Sequence, residues 1–370
     1  MRNKDEATIK DVAEKAGVAP STASDALNNK SHVADDTRSR VLKAAADLNY
    51  RPHPGAKHLS KGSSNNLGLL LPISGEHLFS STTFFNNVAR GMHQVVQSQG
   101  YVFSLYTSDP FNDERELVKS AIDSRELGGL VISNPTTSIP YWDLLKDSGI
   151  PFVFIGDPRK QVSYVDNDNV EVARKGTEHL VEHGHEIIAC LTGPRRFTFS
   201  QDRELGYRSG LQQNSIEVDE DLIWYAGLSA AEAYEVLMEK IEKHSFSALF
   251  VVGSMQAVGA IYALRKRGLE VPDDVALVSV GATDITRYFD PSLTVVDLNE
   301  YWLGYHAAQL LLEKGKGELE GNPQIIVPTE LMIRESCGCE VENSEILRSR
   351  KEGGASLSSG MVNELNDPAN

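Results

Sequence analysis

The sequence predicts an α/β protein with an N-terminal three-helix helix-turn-helix head and a body of two doubly wound parallel-sheet lobes. Within its first thirty residues the chain has two short helical segments joined by a tight turn. From Leu67 onward, continuous apolar runs alternate with helical stretches. Because helices cover both faces of a parallel sheet, its strands are typically such unbroken apolar runs.

The head has the residues that begin and end short helices. Thr8 is followed three residues later by Asp11, the spacing of a capping box, and Gly17 suits a left-handed helix end. Pro20 suits the first position of the second helix, and the acidic Asp35 favours the start of a third. A helix pair of this kind commonly places its second helix in the DNA major groove.

The body is read as strands and helices in alternation. The apolar runs predicted as strands are Leu67–Ile73, Tyr101–Tyr106, Gly129–Ser133, Phe152–Ile155, Ile187–Leu191, Ala248–Val252 and Ala276–Val280, with late strands near Leu293–Asp297 and Gln324–Pro328. Helices are expected near 84–99, 112–124, 140–148, 168–183, 200–213, 229–243, 254–267 and 300–314. Two such lobes facing each other form a cleft that suits a small polar ligand.

Changes in composition mark the domain boundaries. We predict a helix-turn-helix domain over 1–52, a hinge helix and linker over 53–66, a body over 67–337 and a disordered tail over 338–370. The linker contains prolines and a Gly/Ser/Asn stretch, and the tail is polar and aperiodic. We expect the chain to cross between the lobes near 165–185, with the His-Gly-His turn at 183–185 as the candidate, and near 285–300.

Charge separates the head from the body. The chain has a net charge of −16, but residues 1–61 hold 11 Lys/Arg against 8 Asp/Glu, which leaves 25 basic and 44 acidic residues elsewhere. The head therefore carries +3 and the remainder −19. A small basic head can contact phosphates while an acidic body repels DNA, so binding to mixed-sequence DNA is expected to be weak and strongly salt-dependent.

Other patterns exclude several protein classes. No apolar run approaches the roughly 20 residues that span a bilayer, and no secretory segment is evident, so a cytoplasmic protein is expected. We find no catalytic Ser/His/Asp arrangement or phosphate loop, and predict no enzyme activity, cofactor or metal site. Cys337 and Cys339 could form a strained disulfide or help bind metal. Because no second pair or nearby histidine accompanies them, an ordinary reduced chain end is favoured.

Segment 8–61 resembles the head of the lactose-repressor (LacI/GalR) family of bacterial transcription regulators, and the similarity continues in one register to about residue 337. In the head it is carried by Thr8–Ala13, Ala16–Val18, Ser21–Ser24, Leu27-Asn28, Thr37-Arg38, Val41 and Leu48–Pro52. In the body it is carried by Glu178–Leu180, Gly184-His185, Thr192–Pro194, Arg203, Gly206-Tyr207, Ala257–Ala260, Val271–Val275, Pro291–Thr294 and Arg334–Ser336.

The resemblance implies a periplasmic-binding-protein-like body and a homodimer on a pseudo-palindromic operator, although a tetramer stays open. It also implies a hinge helix over Pro54–Ser60 that folds on DNA, with Leu59 as a minor-groove wedge. A sugar, polyol or nucleoside effector bound between the lobes would change the order of the hinges. We expect a repressor; an activator or dual regulator, or less so a solute-sensing binding protein, are the alternatives.

The resemblance also assigns candidate DNA contacts. These are Thr8, Pro20, Ser21, Thr22, Asp25, Asn28, His32, Tyr50 and Leu59. Asp25 stands where the family frequently has Arg, and an Asp can accept a hydrogen bond from cytosine N4 but repels phosphate. Either the operator preference therefore differs, or Asp25 has a salt-bridge role within its helix.

The candidate effector contacts are Ser74, Phe79, Asp157, Asp166, Phe197, Arg203, Ser254 and Asp284. Arg203 offers several donors to a polar ligand; alternatively, it is a surface arginine paired with Glu204 or Asp202. Asp166 is expected to orient Arg203; alternatively, it is a turn residue. Members commonly have Asn-Asp at the positions of Gly253-Ser254. They also have paired acids near Asp284, where Thr283 can take over a contact. These departures leave the effector unnamed.

Overall fold

The computed structural model describes residues 7–27, 30, 32–48, 50, 64–74, 83–108, 113–124 and 126–339, and for 72–74, 83 and 108 only the backbone. Asn28, Leu59, Phe79, the predicted hinge helix and most of the predicted tail lie outside these residues.

Three helices form the head, as predicted. They are α1 (Ile9–Ala16), α2 (Pro20–Leu27) and α3 (Asp35–Asp47). Thr8 and Asp11 form the capping box, and Gly17 ends α1 at φ 65°. Ala34 caps α3 without a side-chain hydrogen bond, as its methyl group dictates. The small side chains of Val12, Ala13, Ala23, Ala26 and Val41 are buried together and hold the three helices in contact.

The first lobe is a six-stranded parallel sheet with helices on both faces. Its strands are β1 (Asn66–Ser74), β2 (Val102–Ser108), β3 (Gly129–Ser133), β4 (Phe152–Ile155), β5 (Tyr164–Asp166) and β11 (Gln324–Ile326), in the order β11-β5-β4-β3-β1-β2. Its helices are α4 (Thr83–Ser98), α5 (Glu114–Asp123), α6 (Trp142–Asp147) and α12 (Glu300–Lys316). Leu69 and Leu70 face opposite core clusters, which is why β1 is apolar throughout.

The second lobe repeats this architecture. Its strands are β6 (Ile188–Thr192), β7 (Ile223–Tyr225), β8 (Ala248–Val251), β9 (Ala276–Val280), β10 (Thr294–Asp297) and β12 (Glu330–Met332), in the order β12-β10-β9-β8-β6-β7. All neighbours are parallel except β10 and β12. The helices are α7 (Asn169–Glu182), α8 (Thr198–Gln213), α9 (Ala230–Lys240), α10 (Ser254–Lys266) and α11 (Asp284–Tyr288), with 3-10 turns at Glu220–Leu222 and Glu335–Cys337.

The chain crosses between the lobes three times. The crossings lie at 167–168 between β5 and α7, at 298–299 between β10 and α12, and at 327–329 between β11 and β12. The prediction that the 183–185 turn is a crossing was wrong, because that turn joins α7 to β6 within the second lobe. Among the described residues, no helix has the length and apolar content that a membrane span requires.

Candidate functional site

The second helix of the head presents a polar face. Pro20 and Ser21 are exposed, Thr22 and Asp25 are half-buried, and Ala23 faces the core of the head. The exposed surface of α2 is therefore free of the packing that fixes the head, which is the arrangement required of a helix that enters a groove.

Asp25 is paired outside its own helix. His32 Nε2 lies 3.1 Å from Asp25 Oδ2, so the two predicted DNA contacts touch one another. The alternative of a salt bridge within the helix is thus replaced by a bridge from α2 to the following turn. The carboxylate remains one-third exposed, since the relative accessibility of its side chain is 34%.

Two further predicted contacts have structural partners in the head. The Thr8 hydroxyl donates to Asp11 Oδ2 at 2.7 Å and accepts from the Asp11 N–H at 3.4 Å, which completes the cap of α1. The Tyr50 ring packs against the core of the head, and this burial raises the pKa of its phenol. Both side chains support the shape of the head as well as lying where the family resemblance puts DNA contacts.

A cavity lies between the lobes at the carboxyl ends of their strands. It includes about 930 Å³ of empty space, counting the solvent at its open mouth. Asn134 and Gly156 follow β3 and β4, and Gly253 and Gly281 follow β8 and β9. Both sheets therefore direct their carboxyl ends at one space, as expected for open α/β sheets.

Arg203, from the first turns of α8, forms part of the cavity wall. Its Nε donates to Asn169 Oδ1 at 2.9 Å and its Nη1 donates to the Val252 carbonyl at 2.7 Å. The guanidinium carbon lies 5.0 Å from the centre of the Phe199 ring. Burial lowers the pKa of Arg203 to about 10, so the group stays charged at neutral pH. Arg203 is therefore a buried residue of the cavity wall and not a surface arginine paired with Glu204 or Asp202.

Asp166 positions Arg203 through an intermediate side chain. The Asn169 amide donates to Asp166 Oδ1 at 3.0 Å, while its oxygen accepts from Arg203. Backbone N–H groups of Asp157 and Asn167 also donate to the Asp166 carboxylate, each at 2.8 Å. Burial nevertheless raises the pKa of Asp166 to about 6. Asn169, which sequence reasoning missed, is the link.

A second acid, Glu300, enters the cavity from the start of α12. It is only 4% exposed, and its Oε2 accepts from Asn87 Nδ2 at 3.4 Å. Burial, and then the negative charge of Asp297, raise the pKa of Glu300 to about 7. The described lining of the cavity therefore includes the cation of Arg203 and the acids Asp166 and Glu300 in mostly apolar surroundings. Its aromatic surface comes from Phe84, Phe85 and Phe199.

Not all predicted effector residues reach this cavity. Asp166, Arg203 and Ser254 line it, and Thr283 lies on the wall near Asp284. Asp284 is exposed instead, because Thr283 is the N-cap of α11 and Asp284 is its first residue. Only the backbone of Ser74 is described, at the end of β1.

Asp157 and Phe197 lie beside contacts between the two lobes, and neither is among the residues that line the cavity. Asp157 pairs with Arg159, which also pairs with Asp202 of the second lobe. The Phe197 ring is buried and stacks on Phe199, with centroids 5.3 Å apart. Its side chain is therefore part of the packed interior. Its backbone bridges to Thr136 of the first lobe.

One side chain connects all three crossings behind the cavity. Asn167 lies in the first crossing, and its Nδ2 donates to the Leu298 carbonyl at 3.0 Å and to the Val327 carbonyl at 2.9 Å. Because Leu298 and Val327 begin the other two crossings, any rotation of one lobe against the other must act on these bonds. Neither Asn167 nor Glu300 was predicted; their positions beside strand or helix ends at the crossings are the only sequence signal.

Comparisons with known proteins agree with this architecture. The chain matches the family described as bacterial regulatory proteins, lacI family, over residues 8–53 and a periplasmic binding protein-like domain over residues 177–337. It is 30% identical to the HTH-type transcriptional repressor PurR of Vibrio campbellii over 332 residues, which cover 87% of this chain and 97% of that protein.

Solved structures of two regulators are also similar. The transcriptional regulator CelR in complex with cellobiose superposes with a TM-score of 0.71 at 27% identity, covering 89% of this chain and 99% of that one. The Lac repressor dimer bound to operator and the anti-inducer ONPF superposes with a TM-score of 0.78 at 25% identity, covering 90% and 99%. With its helix-turn-helix head and two-lobed body, the chain belongs to the lacI family of bacterial regulatory proteins and is a DNA-binding transcriptional regulator, not an enzyme.

Proposed function

We propose that this chain acts in the cytoplasm as a homodimeric repressor, which binds a pseudo-palindromic operator and responds to a sugar, polyol or nucleoside between its lobes. The observation that carries the proposal is the cavity between the lobes, in which Arg203 stands with Asp166 and Glu300. A ligand there contacts both sheets at once, so binding is coupled to the angle between the lobes.

The chemistry of the cavity supports a polyhydroxylated ring. Aromatic faces such as Phe84 and Phe199 suit the apolar face of a ring, while Arg203 and the two acids offer donors and acceptors to hydroxyls. CelR, a relative of similar fold, was solved with cellobiose. Sugars are therefore the first class to test, followed by polyols and nucleosides.

The first experiment measures thermal unfolding of the full chain with a panel of mono- and disaccharides, polyols and nucleosides. A ligand that binds the folded state at 100 times its Kd is expected to raise Tm by about 5 °C. Arg203→Lys is expected to weaken that ligand at least about tenfold, because a single ammonium cannot reproduce the two directed bonds of the guanidinium. Arg265→Lys, on the exposed side of α10, is the control.

The second experiment selects operator sites from random duplex DNA and measures affinity with and without the ligand. We expect a site with two-fold symmetry, a strong decrease of affinity with salt, and a change of affinity when the ligand is saturating. Ligand binding that leaves operator affinity unchanged would contradict the regulatory part of the proposal. Selection of sites without symmetry would contradict the dimeric part.

A further inference from the structure

Two cysteines near the end of the described chain have histidine neighbours that the sequence analysis did not foresee. Cys337 and Cys339 were expected to lack an accompanying histidine, and this was wrong. The end of α7 brings His179 and His183 against them, although His179 and Cys339 are 160 residues apart in the sequence. Their spacing of four places both rings on the same face of the helix.

Three potential ligand atoms converge here, and a fourth, His183 Nε2, contacts one of them. Cys337 Sγ lies 2.9 Å from Cys339 Sγ, and Cys339 Sγ lies 2.9 Å from His183 Nε2 and 3.5 Å from His179 Nε2. Ligand atoms of His179, Cys337 and Cys339 all lie within 4.8 Å of one another. Around tetrahedral Zn²⁺, bond lengths of about 2.0–2.3 Å place ligand atoms about 3.3–3.8 Å apart. The three pairs that involve Cys339, at 2.9, 2.9 and 3.5 Å, reach that geometry with changes of less than about 1 Å, and the His183 ring must move closer to the other two ligands.

The surrounding bonds orient the histidine ring. His183 Nδ1 lies 2.8 Å from the His179 carbonyl oxygen, which can only accept, so Nδ1 carries the proton. The lone pair of Nε2 is then directed at Cys339. A backbone carbonyl that fixes the tautomer of a histidine in this way is a regular feature of metal-ligating imidazoles.

The cysteine turn is held rigidly in place. Gly338, at φ 79°, follows the 3-10 turn and folds Cys339 back beside Cys337. The Ser336 hydroxyl donates to the Leu277 carbonyl at 2.7 Å, and the Thr294 N–H donates to that hydroxyl at 2.9 Å. The turn is therefore attached to the middle of the second sheet, and the two sulfurs are positioned by residues that are not themselves ligands.

We propose that His179, His183, Cys337 and Cys339 form a structural Zn²⁺ site that ties this turn to the end of α7. Thiolate and imidazole ligands select Zn²⁺ over Mg²⁺ or Ca²⁺, which prefer oxygen. Two thiolates balance the charge of the ion, so a half-buried complex carries no net charge. The site needs no property of the effector cavity, so it stands independently of the proposed function.

The ion would fix the end of α7 that is remote from the cavity. The first residue of this helix, Asn169, holds Arg203, and the 14 residues of α7 span about 21 Å at 1.5 Å per residue. Loading should therefore stabilise the second lobe without placing a charge in the effector site.

The test uses the full chain, reduced and stripped with a chelator, then titrated with Co²⁺ as a spectroscopic substitute and with Zn²⁺. We expect one ion per chain, thiolate-to-cobalt charge-transfer absorption, and a Tm raised by about 5 °C at 100 times the Kd. The variants His183→Ala and Cys339→Ser, at exposed and partly exposed positions, are expected to lose the absorption and the Tm shift while keeping a native circular dichroism spectrum.

His93→Ala, an exposed histidine on α4, is the matched control and should bind as the parent does. Absence of stoichiometric binding by the reduced, folded parent chain would overturn the proposal. So would binding that survives in both His183→Ala and Cys339→Ser. A Cys337–Cys339 disulfide that resists reductants, with no metal uptake, would also overturn it and identify a covalent turn instead.

Discussion

Asp25 of α2 is held by His32, and its partly exposed carboxylate can still contact DNA bases. Its carboxylate is oriented by His32 at 3.1 Å, yet it lies on the polar side of α2. A carboxylate accepts a hydrogen bond from cytosine N4 and repels neighbouring phosphates. Asp25 can thus favour a cytosine through a hydrogen bond while its negative charge weakens binding to any DNA. Mutation can separate these two effects.

Asp25→Ala is expected to change which bases are preferred in a selection from random duplex DNA, and to increase affinity for mixed-sequence DNA. The first effect follows from loss of an acceptor, the second from loss of a negative charge near phosphate. Glu14→Ala on the exposed side of α1 should change only the mixed-sequence affinity. Unchanged base preferences in the Asp25→Ala selection would show that this residue does not read sequence.

Glu300 makes stability depend on pH in a direction that can be derived. Its pKa rises from an ordinary value of 4.5 to about 7 in the folded protein, so the folded state binds the proton more tightly than the unfolded state. The contribution of Glu300 to stability is therefore fully present below about pH 4.5 and is lost as pH rises to about 7, by about 3 kcal/mol for a shift of this size.

Glu300→Gln removes this ionisation and keeps the shape. The variant is expected to gain Tm over the parent at pH 8 and to lose that advantage at pH 5, in unfolding measured by calorimetry. Asp166 titrates in a nearby range in both proteins, so its contribution cancels in the comparison. Glu318→Gln, an exposed acid of the same lobe, controls for the loss of charge alone. Equal Tm differences at both pH values would refute the burial argument.

At the scale of elements, α4 and α12 approach one another through glycines. A Cβ at Gly304 would lie 2.0 Å from the Val88 carbonyl oxygen, and one at Gly91 would lie 1.9 Å from the Tyr301 carbonyl oxygen. Neither backbone can give way without separating the helices. The close approach of the two helices therefore requires that both positions lack a side chain.

Gly304→Ala is expected to destabilise the protein by about 1–3 kcal/mol in denaturant unfolding, because overpacking exceeds the gain in helix propensity. Gly315→Ala, on the same helix, is the matched control. Its Cβ would meet only Pro151, at 3.7 Å, so the propensity gain of about 0.5–1 kcal/mol should appear as stabilisation. If both substitutions stabilise the protein, the close approach of the helices is not structurally required.

The sequence was most informative where a strand is a continuous apolar run. The runs predicted as β3, β4 and β9 have the observed bounds, because buried parallel strands are apolar at every position. Strands β5, β7 and β12, of three residues each, were missed because none gives a periodic signal, whereas the equally short β11 lies within the strand expected near Gln324–Pro328. The misplaced crossing at 183–185 has the same cause, because the true crossing directly follows the short β5.

The site was predictable only where the resemblance supplied a position. Arg203 and Asp166 line the cavity as expected, whereas Glu300 and Phe199 depend on how the lobes face each other. Long-range proximity explains the error at Cys339 as well. The spacing of His179 and His183 is visible in the sequence, but their position beside the cysteines is a property of the second lobe as a whole.

At the scale of the whole molecule, the three crossings act as one unit. The Asn167 amide donates to two of them from the third, and Asn299 Nδ2 donates to the Pro328 carbonyl at 2.9 Å. On the opposite side of the cavity the lobes meet through the pair of Arg159 and Asp202, and through the Thr137 N–H, which donates to the Arg196 carbonyl at 2.8 Å. A change in the angle between the lobes would therefore act on these polar bonds.

Asn167→Ala is accordingly expected to uncouple effector binding from operator affinity. Loss of its amide leaves the Leu298 and Val327 carbonyls without that donor. The two lobes then no longer switch between defined relative orientations. The measurement is operator affinity with and without a saturating concentration of whichever sugar raises Tm most. Coupling between sites typically amounts to about 5–150-fold in affinity, and we expect the variant to lose most of it.

Asn322→Ala removes a similar bond, from an exposed amide to the Gln161 carbonyl at 3.0 Å, and should preserve the coupling of the parent. Because Asn167 also lines the cavity, the effector is held at saturation so that weaker binding cannot imitate lost coupling. Wild-type coupling in Asn167→Ala would mean that the signal reaches the head by a route that bypasses the crossings, with the Arg159 and Asp202 contact as the next place to test.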